Sequence, residues 1–269
     1  MTSSAVPAGR NAALLTWFKA NARDLPWRQN KDPYTVLVSE VMLQQTQVER
    51  VIPKFEAFVN HWPTVGDLAQ ARTDDLLRLW SGLGYNSRVL RLRDAATSVV
   101  DSGWPTTIQG LMQLPGVGAY TAAAVGSISF GMDVPATDTN LRRVLSRWAG
   151  ESLADATLDE YSAGVIGSPA GDWNQALMDL GSVVCTVREP NCGDCPVREW
   201  CADPAVYEPP PRQSSFEGSH RQLRGALLRA HLASIDLNEV GHALGRSDQE
   251  TAETIASLET EGLIESSSS

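Results

Sequence analysis

All four cysteines of the 269-residue chain fall between residues 185 and 201, in the order Cys185-x6-Cys192-x2-Cys195-x5-Cys201. Thiols packed this densely make the segment wrap round a common centre, and the rest of the fold must bring the chain to one compact loop. A disulfide reading needs an oxidising compartment, of which the sequence gives no other sign. A structural zinc usually draws on paired short knuckles at a longer separation, and only one short knuckle is present. Four thiolates from one short loop suit an iron–sulfur cube, with zinc as the alternative.

The residues before that loop repeat with a helical period. In DPYTVLVSEVMLQQT the apolar residues Tyr34, Leu37, Val38, Val41 and Met42 recur at i, i+3, i+4, i+7 and i+8. DDLLRLWSGLGYNSRVLRLRDAATSVV predicts two helices broken at Gly82-Leu83-Gly84, and IQGLMQL and AYTAAAVGSISF predict two more around Pro115-Gly116-Val117-Gly118. TNLRRVLSRWAG and NQALMDLGSVVC are further helices. No period-2 strand set precedes residue 202, so the expected fold class is all-α. After Cys201 a segment rich in Pro, Ser and Glu reads as a linker, followed by three short helices. That trio reads as a helical extension, with a truncated winged helix as the alternative.

Charge argues at first against a nucleic-acid partner. There are 22 Lys+Arg against 32 Asp+Glu, a net charge of −10. The excess is uneven, because residues 202–269 hold 11 acidic and 5 basic residues. Only Lys19, Lys31 and Lys54 are lysines. No apolar run approaches the ~20 residues needed to span a bilayer, and the N-terminus lacks the pattern of a secretory leader. The expected location is therefore cytoplasmic, with no membrane partner.

LPGVGAYTA (114–122) has the apolar-Gly-apolar-Gly form of a hairpin between helices, in which Gly116 and Gly118 allow backbone N–H groups to face a phosphate without a lysine. About 20 residues later come ATDTNLRRVL and then the cysteine loop. This order resembles the helix-hairpin-helix DNA glycosylase superfamily of endonuclease III type. DLPWR (24–28), SEVMLQQTQVERVIPKF (39–55), WPTVGDLAQA (62–71), LWSGLGYNSR (79–88) and NQALMDLGSVVC (174–185) narrow the resemblance to the MutY family of adenine glycosylases, over about residues 10–205.

The residues fit that chemistry. Cleaving a purine N-glycosidic bond needs a proton for the leaving base and a negative charge near the oxocarbenium-like sugar. Glu40 sits about 60° from Leu37 on its helix, on the shoulder of the apolar stripe, where a half-buried carboxyl acquires a raised pKa. Asp138 precedes a helix, whose dipole favours the ionised form, and a plain N-cap is compatible with that role. The resemblance assigns Glu40 as the acid at adenine N7 and Asp138 as the stabilising carboxylate, supported by Asn140. Tyr120 stands where bifunctional members carry a Schiff-base lysine, which implies a monofunctional enzyme.

The resemblance also implies Gln45, Thr46, Leu83 and Tyr85 at the opposite base, usually 8-oxoguanine, and Arg23, Trp27 and Gln175 around the extruded adenine. It implies a 4Fe-4S cluster on Cys185, Cys192, Cys195 and Cys201, and a monomer acting on double-stranded DNA with an A·8-oxoG or A·G mispair in a bacterial nucleoid. The implied lobes are 1–29 with 141–205 around the cluster, and 30–140 as a six-helix barrel with the hairpin at 108–125. Residues 206–220 are then a linker and 221–269 the extension. Arg88, Arg91, Arg93, Arg142, Arg143 and Arg147 are expected along one basic face, some of them paired with acids. The family's usual Nudix-like C-terminal domain has no counterpart in the remaining helical residues. Two other readings stay open: a thymine or uracil mismatch glycosylase acting opposite guanine, and a non-catalytic iron–sulfur DNA-binding protein.

Overall fold

The structure is a computed structural model that describes residues 9–206 and 215–264. The N-terminal segment read for a leader falls partly on residues 1–8, and most of the linker expected over 206–220 falls on residues 207–214. These positions lie outside the described residues, as do the final serines. Among the described residues there are no strands. The helices run α1 (Arg10–Asn21), α2 (Pro33–Leu43), α3 (Val48–His61), α4 (Val65–Ala69), α5 (Thr73–Trp80), α6 (Ser87–Ser102), α7 (Ile108–Met112) and α8 (Ala119–Ser129). They continue as α9 (Thr139–Ala149), α10 (Asp155–Val165), α11 (Ala170–Val183), α12 (His220–Leu232), α13 (Leu237–Ala243) and α14 (Asp248–Thr260). The all-α expectation holds.

The chain divides into two compact units, one of Met1–Glu40 with Gly103–Pro210, the other of Val41–Ser102 with Pro211–Ser269. In the first, α11 is the central helix. Its Trp173, Ala176, Leu177 and Leu180 are fully buried with Leu14 of α1 and Leu141, Val144 and Leu145 of α9. Each large apolar side chain buried this way contributes about 1.5–3 kcal/mol. Two glycines let α11 approach its neighbours: a Cβ on Gly171 would lie 2.6 Å from the Ser127 carbonyl oxygen, and one on Gly181 would lie 2.8 Å from Asn140 Cβ. Helix α9 starts at Asp138, whose side chain accepts from the Leu141 N–H, and stops at Gly150 with φ 80°. Its apolar Leu141, Val144, Leu145 and Trp148 share one face.

In the second unit Phe58, Trp62 and Trp80 stack edge to face, with Phe58 4.7 Å from Trp62 and 6.1 Å from Trp80 between ring centres. Thr64 and Asp67 form a capping box that starts α4. The expected break between α5 and α6 falls at Ser81–Asn86, with Gly82 and Gly84 at φ 93° and 73°. The three C-terminal helices form as expected, each capped by a side chain (Ser219, Asp236 and Ser247). They bury Leu223, Leu227, Leu258 and Leu263.

Candidate active site

Helix α2 is apolar on most of its surface, and its Val36, Leu37, Val38, Val41 and Met42 are all buried. Glu40 shares that environment: it is 5% exposed, well beyond the half-burial its shoulder position suggests. Its carboxyl hydrogen-bonds with the Tyr120 side chain, and Oε2 has no protein partner. Burial raises the Glu40 pKa to about 7, against the Tyr120 hydrogen bond, with Asp138 adding to the rise and Arg28 opposing it. Tyr120 is itself held well above the usual phenol range, by burial first and then by the Glu40 and Asp138 carboxylates. The phenol therefore keeps its proton and acts as a donor to Glu40.

Asp138 is half-buried and better supplied. Oδ1 accepts from the Leu141 N–H at 2.7 Å and Oδ2 from Asn140 Nδ2 at 2.9 Å. Burial raises its pKa, against the Leu141 and Asn140 hydrogen bonds and the Arg143 charge. Of the two carboxyls, Asp138 has the donors that a carboxylate needs, whereas Glu40 has an orphaned oxygen suited to a proton. The donor set thus favours the charge on Asp138 and the proton on Glu40, the division that acid-assisted glycoside cleavage would use.

Two further side chains fix this pair: Asn174, which sequence reasoning did not single out, and Arg143, which was expected on a basic face and instead holds backbone and Asn140. Asn174 on α11 is fully buried; its Oδ1 accepts from the Ala136 N–H at 2.9 Å, and Nδ2 donates to Ser127 Oγ at 2.9 Å and the Val134 carbonyl at 3.0 Å. It tethers the strap that leads into Asp138. Arg143 Nη2 donates to Asn140 Oδ1 at 2.9 Å and to the Gly181 carbonyl at 2.7 Å, while Nε donates to the Cys185 carbonyl at 2.9 Å.

The segment 22–28 is fastened to α11 by Asp179, whose side chain is fully shielded. Arg23 Nε donates to Oδ1 at 2.6 Å and its backbone N–H to Oδ2 at 3.1 Å. Arg28 adds a bidentate pair, Nη1 to Oδ2 at 2.7 Å and Nη2 to Oδ1 at 3.0 Å. Burial opposes ionisation of Asp179, but the hydrogen bonds and charges of Arg28 and then Arg23 outweigh it and hold the carboxyl below the usual range. Trp27, 7% exposed, lies between the two arginines in the chain, and Gln175, one turn before Asp179 on α11, donates to the Gly171 carbonyl at 3.4 Å. Of the expected adenine-pocket residues, Arg23 is thus anchored by an acid that no motif pointed to.

At the hairpin, Gly116 has φ 76° and is required by that turn. Gly118 is extended, at φ −86°, and caps α8 with no protein atom within 4 Å of where a Cβ would stand. Its missing side chain leaves room for something outside the protein to approach the backbone.

The four cysteines are free and surround one cavity of about 170 Å³. Among the described residues no three His, Cys, Asp or Glu side chains converge closely enough for a single metal ion. A soft four-thiol set around a space of this size fits a cluster better than a lone zinc. Burial, then the neighbouring thiolates, pushes the Cys201 thiol up to about 11. Arg147, expected on a basic face, is instead 2% exposed and ties the loop together. It donates to the carbonyls of Thr186 at 2.8 Å, Val187 at 3.2 Å and Val206 at 3.1 Å, and to Cys185 Sγ at 3.0 Å.

In the second unit Thr46 Oγ1 approaches the Leu83 carbonyl at 3.4 Å. Leu83 is 4% exposed and packs inward, whereas Tyr85 is 45% exposed. Gln45 and Tyr85 both have left-handed backbones, at φ 55° and 47°. Arg88, also expected on the basic face, is buried beneath this turn. Among the described residues no helix is long and apolar enough to cross a membrane.

Residues 38–159 match the HhH-GPD superfamily of base excision DNA repair proteins. The chain is 42% identical over 232 residues to an adenine DNA glycosylase of Mycobacterium tuberculosis, a match that covers 80% of this chain and 76% of that protein. The solved structure of a thermostable thymine-DNA glycosylase aligns with a TM-score of 0.66 at 29% identity, over 71% of this chain and 93% of that one. A non-covalent endonuclease III–DNA complex shares the fold, with a TM-score of 0.63 at 21% identity over 76% and 97%. Fold and site together define the helix-hairpin-helix class of base-excision proteins. Within that class, the chain belongs to the adenine DNA glycosylase family.

Proposed function

We propose that this protein excises adenine mispaired with 8-oxoguanine or guanine from duplex DNA, hydrolysing the N-glycosidic bond without lyase chemistry. The observation that carries this reading is the unpartnered Oε2 of Glu40, on a buried carboxyl titrating near 7, across from a hydrogen-bonded Asp138. With adenine extruded, Glu40 gives its proton to N7 as the C1′–N9 bond breaks, and the neutral base leaves. Asp138 stabilises the positive charge at C1′. Water then adds to C1′, and its proton returns to Glu40. Thymine has no N7, so a thymine or uracil glycosylase has no use for this acid. No lysine follows Lys54, and Tyr120 offers no amine for a Schiff base.

Arg23, Trp27 and Gln175 would line the base pocket, and Gln45, Thr46, Leu83 and Tyr85 would meet the opposite base. Gly116 and Gly118 would present backbone N–H groups to a phosphate. The four cysteines would hold a 4Fe-4S cluster, whose contribution is to fold the loop that carries the exposed Arg188 and Arg198 towards DNA. The monomeric state and a cytoplasmic, nucleoid-associated location belong to the same reading.

The deciding assay incubates duplexes containing A·8-oxoG, A·G, T·G and U·G with the protein and then treats them with alkali. Alkali-labile product from the two adenine duplexes is expected, and product only from T·G or U·G overturns the reading. For the cofactor, absorbance near 410 nm with about four irons and four sulfides per chain is expected; zinc alone overturns it.

A further inference from the structure

One side chain holds together the end of α2 and the turn at 82–85. Arg88, in the first turn of α6, is 9% exposed. Its Nη1 donates to the Val41 carbonyl at 2.6 Å and the Gln44 carbonyl at 2.7 Å, and its Nη2 donates to the Leu83 and Gly84 carbonyls at 3.0 Å each. The guanidinium lies 5.3 Å from the Trp80 ring centre and 5.7 Å from that of Tyr85. Burial pulls its pKa down to about 10, against the Tyr85 charge, so it stays cationic at neutral pH.

The two segments it bridges are both strained. Gln45 and Tyr85 are non-glycine residues at φ 55° and 47°, conformations that persist only where the surroundings over-determine them. Arg88 supplies that constraint, with two carbonyls of each segment in its grip. The segments are presented outward, since Gln45 is exposed and Tyr85 is 45% exposed.

We infer that Arg88 is a positioning residue for opposite-base discrimination, clamping the Gln45–Thr46 segment against the Leu83–Tyr85 turn so that the two read one base together. This rests on the adenine glycosylase reading above. 8-Oxoguanine differs from guanine in carrying N7–H and O8, so telling them apart needs a donor and an acceptor at a fixed spacing. Side-chain amides and hydroxyls supply both, and they discriminate only when held rigidly. A lysine, with a compact point charge, cannot bridge four carbonyls in this way.

The test measures dissociation constants for duplexes carrying a tetrahydrofuran abasic analogue opposite either 8-oxoguanine or guanine, which needs no excision. The wild-type chain is expected to favour 8-oxoguanine by about tenfold or more. Arg88→Met is expected to bring the ratio near unity, and Arg88→Lys to fall between. A partly misfolded preparation lowers active protein on both duplexes alike and leaves the ratio unmoved, which separates positioning from a merely structural role. The inference is overturned if Arg88→Met keeps the wild-type ratio, or if the wild type binds both duplexes equally. Should Arg88→Met fail to fold, an Arg88→Lys ratio within about twofold of wild type overturns it instead. Excision by the wild type on A·8-oxoG is run in parallel: its failure sinks the adenine glycosylase reading, while the binding ratio judges Arg88 by itself.

Discussion

Asn140 donates from Nδ2 to Oδ2 of Asp138 at 2.9 Å, and its own Oδ1 accepts from Arg143 Nη2 at 2.9 Å. Asp138 therefore receives a donor whose orientation is fixed from behind. Asn140→Leu removes that donor from the ionised form and raises the Asp138 pKa further. The acid limb of the excision-rate profile should move to higher pH by about one unit, since a hydrogen bond to a charged group contributes about 1.5–3 kcal/mol. Single-turnover rates between pH 5 and 8 measure it; an unmoved limb contradicts the role given to Asn140.

Glu40 gives a prediction of opposite sense. The proposed mechanism uses its proton, and burial raises its pKa to about 7, so the wild-type rate should fall as pH rises through about 7. Glu40→Gln should lose most activity. Stability follows the same linkage: a carboxyl raised in the fold contributes stability below its unfolded pKa and loses it as pH rises through the folded value. The loss approaches roughly 3 kcal/mol at alkaline pH. The Tm of the wild type should therefore drop more between pH 5 and 8 than that of Glu40→Gln, and equal slopes would count against a protonated Glu40.

Asp179 carries two arginines and is fully buried. Asp179→Asn leaves Arg23 and Arg28 without their carboxylate and should destabilise the fold by about 3 kcal/mol. Denaturant melts of the purified variant measure this. A change below about 1 kcal/mol would mean that solvent replaces the acid at little cost.

The two hairpin glycines should separate folding from binding. Gly116→Ala forces a side chain into φ 76° and should cost about 1 kcal/mol of stability. Gly118→Ala, at φ −86° with open space around the added Cβ, should leave Tm nearly unchanged yet weaken duplex binding. Melting curves and fluorescence-anisotropy titrations on the same preparations check both. Full affinity in Gly118→Ala would remove the hairpin backbone as a phosphate site.

The helices, the break at Gly82–Gly84 and the cysteine loop were legible because each rests on a local pattern: a 3.6-residue period, a left-handed glycine or a thiol spacing. Glu40 and Asp138 stood out in sequence as candidate carboxylates, but the depth of Glu40 was not legible, because α2 is apolar nearly all round and its position on the stripe understates its burial. Asn174 and Asp179 carry no local signal: they look like isolated polar residues on α11, and their partners lie 38 to 156 positions away in the chain. Arg88 and Arg147 read as surface charge because an arginine that caps backbone carbonyls looks no different in sequence from one that meets solvent. Gln45 adopts φ 55° without a glycine to announce it.

Gly181 shows how far an electrostatic property can depend on shape alone. A Cβ there would meet Asn140 Cβ at 2.8 Å, so even alanine would push the amide off the carboxylate it orients. The charge state of Asp138 is thus guarded, one helix away, by a single hydrogen where other residues carry carbon. A substitution that adds no ionisable group could retune the site's acidity as effectively as one that does.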